Sequence, residues 1–208
     1  MNGFLFTLAT KIFSVIKINL ITGSYALSLS GSTLLSPLAG AFMGITGSII
    51  VLCTRIVLHA FLYKSFSLSF LALCIPGFCA SLYWATKSSI FRLFLTLMWI
   101  LLFIIHPIGN DAALYSLYWL IPALLYFVPK KSLYLDALGS TFVAHAVGSV
   151  IWLYTIPMTA TMWLSLIPVV ACERFLITCG MIIAHKTITK GINIINTLTQ
   201  IKTTPVTQ

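Results

Sequence analysis

Six apolar segments of membrane-spanning length follow one another along this chain. They cover residues 35–57, 66–85, 91–106, 112–129, 135–155 and 161–185, and turn-forming residues separate them. A helix that crosses a bilayer needs about 20 apolar residues. Only 7% of the chain is charged, whereas a soluble domain carries about 25%. The sequence therefore predicts an all-α integral membrane protein, with a bundle of six transmembrane helices, or of seven if residues 1–33 also cross.

The two ends of the chain differ from this apolar centre. Residues 1–33 carry Lys11 and Lys17 within an apolar stretch, which fits either a first membrane span or an amphipathic helix at the membrane surface. Residues 34–187 form the predicted helical membrane domain, and residues 188–208 form a polar cytoplasmic tail.

Basic residues are distributed unevenly between the joints. If the chain after residue 185 is cytoplasmic and residues 1–33 do not cross, nine basic residues face inward and two, Arg55 and Lys64, face outward. Cytoplasmic loops of membrane proteins are enriched in Lys and Arg. We therefore expect a multi-pass protein of the cell (inner) membrane with both termini in the cytoplasm. The net charge of +9 has the same explanation, so we expect no nucleic-acid partner.

Glu173 and Arg174 lie near the centre of the last apolar segment. Glu173 is about 13 residues from the outer end, which places it about 20 Å into the membrane. A charge at this depth costs at least about 2.5–3.5 kcal/mol, so both residues are candidates for function. Neighbouring side chains on a helix point about 100° apart. We therefore expect that the two charges do not simply neutralise each other, and that each has a partner on another helix.

His145 is the expected partner of Glu173. It lies at a matching depth on the preceding segment, where Ala144, Ala146 and Gly148 allow another helix to approach closely. On the last segment, helical spacing places Trp163 and Arg174 on one stripe, so the indole is expected in the same cleft as the guanidinium. Three interpretations remain open: a ligand or coupling site, a polar clamp that holds helix register, and acid/base catalysis.

The outer joints contribute a second group of candidate residues. His106, Asn110 and Asp111 lie in one joint, and Trp152 and Trp163 flank another. Aromatic residues at this depth form either an interfacial belt or the wall of an outward-facing pocket. The predicted substrate-binding set is therefore Glu173, Arg174, His145, Trp163, Trp152, Asn110, Asp111 and His106. The sequence contains no recognised catalytic motif, so we expect no catalytic residues, no metal and no cofactor.

Small residues cover one face of the first strong segment. Gly40, Gly44, Gly47 and Ser48 are spaced so that a neighbouring helix can approach closely. Tight helix packing is the favoured interpretation of this surface, ahead of a ligand contact.

The stretch "SPLAGAFMG" (residues 36–44) and the Gly/Ser-rich joint 22–33 are similar to the corresponding parts of S components, the substrate-binding membrane subunits of energy-coupling factor transporters. The six-segment architecture resembles that family as well. The resemblance implies capture of a small molecule from outside the cell. It also implies partnership with a transmembrane coupling protein and paired ATPases, and a chain without an ATPase of its own.

Membrane transport of a small molecule, as the substrate-binding subunit of a transporter, is the predicted function. The expected partners are the lipid bilayer, the substrate, the coupling protein and the ATPases; if Arg174 contacts the substrate, an anionic one is favoured. The alternatives are a structural or assembly subunit of a membrane complex and an intramembrane enzyme that acts on lipid.

Overall fold

The computed structural model describes residues 6–8, 10, 12, 17–22, 25–64, 67–86, 88–129 and 132–203. For residues 17–22, 25–32 and 199–203 it describes the backbone alone. Most of the described residues are helical, and two short strands lie near the start of the chain.

Strands β1 (Lys17–Thr22) and β2 (Tyr25–Ser30) pair antiparallel, with Lys17 opposite Ser30. This part of the chain therefore differs from the membrane span or amphipathic helix that we expected within residues 1–33. A Gly-Ser pair separates the two strands in the sequence, and such a two-residue link between short runs is a hairpin signature. The rest of that segment lies mostly outside the described residues.

Residues 6–8, 10 and 12, before the hairpin, are helical, and the other helices follow it in chain order. They are α1 (Gly31–Leu35), α2 (Leu38–Tyr63), α3 (Leu68–Ala85), α4 (Ser89–Ile105), α5 (Pro107–Asp111), α6 (Leu120–Leu124), α7 (Leu133–Thr155), α8 (Ala160–Ser165) and α9 (Ile167–Thr203). Within the described residues, four helices are long and apolar enough to cross a membrane: α2, α3, α7 and the Ile167–Leu198 part of α9. The prediction of a helical, membrane-embedded protein is confirmed, whereas the count of six or seven spans is not.

The predicted third and fourth spans account for the difference. Helix α4 has only 17 residues, which is at the short limit of a span. The predicted span 112–129 is divided into α6 and two 3₁₀ segments, Ala113–Trp119 and Leu125–Phe127. Pro122 lies inside α6, and a proline ring removes one backbone donor and disfavours a continuous helix.

Helix α7 occupies the centre of the bundle, where it packs against α3, α4 and α9. Small residues permit this close packing. A Cβ atom added to Gly139 would collide with the Tyr83 ring of α3, and the Ser140 hydroxyl donates a hydrogen bond of 2.9 Å to the Ala80 carbonyl. These contacts hold α7 and α3 side by side along one wall of the candidate site.

The small-residue face of α2 packs against α3. A Cβ atom on Gly40 would collide with the Ser81 backbone carbonyl, and the hydroxyl groups of Ser48 and Ser81 lie 2.7 Å apart. The interpretation of this surface as a helix-packing face is confirmed at these positions. Gly44 has another role: its backbone has a φ of 65° and a ψ of −160°, so it forms a kink within α2.

Substitution of Gly44 by alanine is expected to destabilise the protein by about 1–3 kcal/mol, because this backbone conformation is essentially restricted to glycine. SDS titration in mixed micelles measures the free energy of unfolding. Gly191→Ala is the matched control: Gly191 lies within α9 with open space around it, and alanine is favoured over glycine in helices by about 1 kcal/mol. Equal effects of the two substitutions would contradict the role of the Gly44 kink.

Candidate functional site

Helices α2, α3, α7 and α9 line a cleft of about 580 Å³. This volume lies within the range of small-molecule sites, about 300–1,000 Å³. The polar and aromatic side chains of its lining are Thr33, Ser36, Arg55, Tyr115, His145, Ser149, Trp152, Trp163, Glu173 and Arg174. The remaining lining residues are mainly apolar or small, so the cleft has an apolar wall that carries a few polar groups.

Five of the predicted site residues lie together on this cleft: His145 and Trp152 from α7, Trp163 from α8, and Glu173 and Arg174 from α9. Trp163 and Arg174 line the same cleft, as expected, although they lie on two helices, α8 and α9, rather than on one continuous helix. Their side chains are almost fully buried, whereas Trp152 is half-exposed. The cleft therefore joins residues that are separated by up to 29 positions in the sequence.

Glu173 and Arg174 form an ion pair with a nitrogen–oxygen distance of 2.5 Å. The expectation that these neighbours could not neutralise each other was therefore wrong. The angle of about 100° between neighbouring residues applies to the Cα–Cβ directions, and both side chains have enough rotatable bonds to bend toward each other. The pair places one negative and one positive charge at the same part of the cleft.

Arg174 also connects α9 to α7. Its Nη1 atom donates to the carbonyl and hydroxyl oxygens of Thr141, each at 3.4 Å. The expected partner on another helix is thus a threonine. The Nε atom of Arg174 is buried and has no hydrogen-bond partner, so this guanidinium retains an unused donor.

His145 is held by aromatic rings. Its imidazole makes edge contacts with Tyr115 and Trp119, at centroid distances of 5.5 and 6.1 Å. Among the described residues no hydrogen bond joins His145 to Glu173, so the predicted bond is not formed. The carboxylate pairs with Arg174 instead, while the buried Nε2 atom of His145 has no partner.

An aromatic cluster forms one wall of the cleft. The ring of Trp163 packs edge-to-face against Tyr115 and Phe103, at centroid distances of 5.0 and 5.5 Å. The hydroxyl groups of Tyr115 and Ser149 lie 3.2 Å apart. Edge-to-face packing holds these large rings in defined positions, which gives the cleft a preformed apolar surface.

Three buried polar atoms on cleft-lining residues lack hydrogen-bond partners: His145 Nε2, Trp163 Nε1 and Arg174 Nε. Across the described residues, six side-chain nitrogen or oxygen atoms are in this condition, so half of them belong to the cleft. Leaving such a group unsatisfied costs about 1–3 kcal/mol, and buried polar groups are generally satisfied in native proteins. The arrangement is typical of a site whose polar groups are satisfied by a ligand.

Arg55 is a cleft residue that the sequence analysis missed. We expected it in an outer joint, but α2 continues to Tyr63 and places Arg55 two helical turns inside its end. Its Nη1 atom donates a hydrogen bond of 2.9 Å to the Ser36 hydroxyl. The apolar residues on both sides of Arg55, in "IIVLCTRIVLHAFLY", were the signal that this arginine lies within a helix.

The other three predicted site residues do not line the cleft. Asn110 and Asp111 line a separate hollow of about 540 Å³ together with apolar side chains of α4, of the 3₁₀ segment Ala113–Trp119 and of Leu120. They were expected in one substrate-binding set with Glu173 and Arg174, whereas the structure places them apart from the central cleft. The ring of His106 packs edge-on against Tyr154 at 4.9 Å and belongs to neither lining.

A second ion pair lies outside the cleft and was also missed. Arg92 of α4 and Asp136 of α7 approach to 2.6 Å. The Nε atom of Arg92 donates to the Thr86 carbonyl at 2.9 Å, and its guanidinium lies 4.7 Å from the centre of the Tyr83 ring. Arg92 is one of the nine basic residues that were expected to face the cytoplasm, and its side chain is largely buried.

No protein family, curated protein or solved structure matches this chain.

Proposed function

We propose that this protein binds a small molecule within the membrane and takes part in its transport, as the substrate-binding membrane subunit of a transporter. One observation carries this proposal: the cleft joins the ionisable residues His145, Glu173 and Arg174 with the indoles of Trp152 and Trp163. Charged residues at membrane depth are costly, and they commonly mark substrate pathways.

The composition of the cleft supports binding of a small organic molecule. An apolar wall with a few convergent polar groups is the usual form of a small-molecule site. The buried Glu173–Arg174 pair is attached to α7 through Thr141, so the polar part of the cleft is held by two membrane helices. A purely structural ion pair has no need for a cavity of about 580 Å³ beside it.

The proposed partners are a transmembrane coupling protein and paired ATPases. The chain carries no phosphate-binding P-loop motif, so energy for transport would come from another subunit. The resemblance of residues 36–44 to S components supports the same arrangement. The uneven distribution of basic residues supports placement in the inner membrane with both termini in the cytoplasm.

Mild extraction of a tagged protein from its own membrane tests this assignment. We expect the coupling protein and two ATPase subunits to co-purify in fixed stoichiometry, and we expect loss of the tagged chain to abolish uptake of one class of small molecule. A second membrane protein that carries the same tag is the control. Isolation of the chain alone, with unchanged uptake in the deletion strain, would contradict the proposal.

A structural or assembly role is the second candidate, and the long α9 helix favours it. This helix runs from Ile167 to Thr203, about 55 Å at the usual helical rise, so it exceeds the thickness of the bilayer core. The side chains of Ile194 and Leu198 are exposed beyond Lys190. The same extraction distinguishes this role, because an assembly subunit would co-purify with a complex that dissociates when the chain is absent.

A further inference from the structure

We infer that the ligand of the central cleft is an organic anion, and that its charged group binds Arg55 rather than Arg174. This inference rests on the proposed function and specifies the class of substrate.

The balance of charge in the cleft supports an anion. Among the described residues, the charged side chains that line it are Arg55, Glu173 and Arg174. Glu173 and Arg174 neutralise each other as an ion pair. Arg55 donates to the neutral hydroxyl of Ser36, and no carboxylate of the described residues pairs with it. The cleft thus has a net charge of +1, and a monoanion would balance it.

Arg55, Ser36 and Gly77 lie next to one another on the lining of the cleft. Gly77 of α3 lies beside this guanidinium: a Cβ atom added there would stand 3.0 Å from the Ser36 Cβ and 3.9 Å from the Arg55 Nη1. A guanidinium offers five N–H donors in a planar arrangement that matches a carboxylate, and the hydrogen bond to Ser36 uses one of them. The Ser36 hydroxyl and the remaining donors therefore form an anion-binding corner of the cleft.

The rest of the cleft requires an organic body on the same molecule. A small inorganic anion would fill only a small part of about 580 Å³. Trp163 and Tyr115 offer a rigid aromatic wall, and Trp152 lies on the same cleft. The partnerless Nε2 of His145 and Nε1 of Trp163 can orient a second polar group. A ring-bearing monocarboxylate matches these features.

Equilibrium binding of three labelled probes tests the charge selectivity. Benzoate, benzyl alcohol and benzylamine share a ring but carry a negative, a neutral and a positive group. The protein is held in phosphatidylcholine nanodiscs, and empty nanodiscs give the blank for partition into lipid. We expect benzoate to bind at least about tenfold more tightly than either other probe, because only benzoate is attracted to Arg55.

Substitution of Arg55 identifies the anchor. Arg55→Gln is expected to weaken benzoate binding at least about tenfold, to the level of benzyl alcohol. Arg55→Lys keeps the positive charge, so we expect it to lose less benzoate affinity than Arg55→Gln. Lys190→Gln removes an exposed cation on α9 and is expected to have no effect. Thermal unfolding of each variant separates loss of binding from loss of fold; if Arg55→Gln does not fold, Arg55→Lys and Ser36→Ala are compared instead. Unchanged benzoate affinity in folded Arg55→Gln, or in Ser36→Ala if Arg55→Gln does not fold, would overturn the inference.

The anion has two possible sources, a soluble molecule and an anionic lipid headgroup. Adding phosphatidylglycerol to the nanodiscs distinguishes them. Competition between phosphatidylglycerol and benzoate on the wild-type protein identifies a lipid as the occupant, and the absence of competition identifies a soluble anion. Both results retain an anion at Arg55.

Failure of this inference is distinguishable from failure of the proposed function. If benzyl alcohol or benzylamine binds as tightly as benzoate, or if benzoate does not bind, the anion at Arg55 is wrong. The proposed function is tested by co-purification with the coupling protein and ATPases and by uptake measurements. Neither experiment uses the three probes.

Discussion

Replacing Asp136 by alanine is expected to destabilise the protein by about 3–5 kcal/mol. Removal of one partner from a buried ion pair leaves the other charge uncompensated, and this range is typical of that loss. Arg92 would remain largely buried, with the backbone carbonyls of Thr86 and Trp84 as its remaining acceptors. The pair also joins α4 to α7, so its loss weakens the contact between α4 and the central helix.

SDS titration in mixed micelles measures this loss as a change in the free energy of unfolding. Asp111→Ala is the matched control, because Asp111 is exposed and an exposed substitution usually changes stability by no more than about 0.5 kcal/mol. The double variant Arg92→Met with Asp136→Ala is expected to recover part of the loss, because no buried charge remains unpaired. Equal effects of Asp136→Ala and Asp111→Ala would show that the Arg92–Asp136 pair does not support the fold.

Gly148→Leu is expected to abolish binding in the central cleft while the protein stays folded. Gly148 lines the cleft, and the nearest atom to an added Cβ would be Pro76 Cγ at an ordinary contact distance of 3.7 Å. A leucine side chain would therefore extend into the space that the ligand occupies. We expect a loss of affinity of at least about 100-fold, which corresponds to about 2.7 kcal/mol.

Binding of whichever ring-bearing probe the wild-type protein accepts gives the readout, so this test does not depend on the sign of the ligand's charge. Gly191→Leu is the control: this residue is also a helical glycine with open space around it, and it lies outside the cleft lining. Retained affinity in a folded Gly148→Leu variant would mean that the probe binds elsewhere.

Hydropathy was sufficient to predict the main architecture of this protein. The long apolar segments at α2, α3, α7 and α9 are membrane-length helices, as predicted. Hydropathy measures only how apolar a segment is, and it does not register a local break. The region 113–127 is apolar, yet it forms one short helix and two 3₁₀ segments. Strands β1 and β2 show the same limit, because hydropathy alone does not distinguish a short strand from part of a helix.

The candidate site was predictable where it depends on depth along a helix. Trp163 and Arg174 line one cleft although a helix break separates them, and His145 and Glu173, expected at matching positions along their segments, line the same cleft. Individual pairings were not predictable, because they depend on how flexible side chains bend and how helices rotate. The Glu173–Arg174 and Arg92–Asp136 pairs are both of this kind. Arg55 was missed because the end of α2 was placed too early.

Native mass spectrometry of the protein, extracted gently from its own membrane, tests the central claim most directly. The wild-type chain of 22.9 kDa is expected to carry a small molecule that dissociates as an organic anion. The Gly148→Leu variant is expected to appear at the mass of the chain alone. A wild-type chain without a bound molecule, or the same adduct on both proteins, would contradict the assignment of the cleft as a binding site.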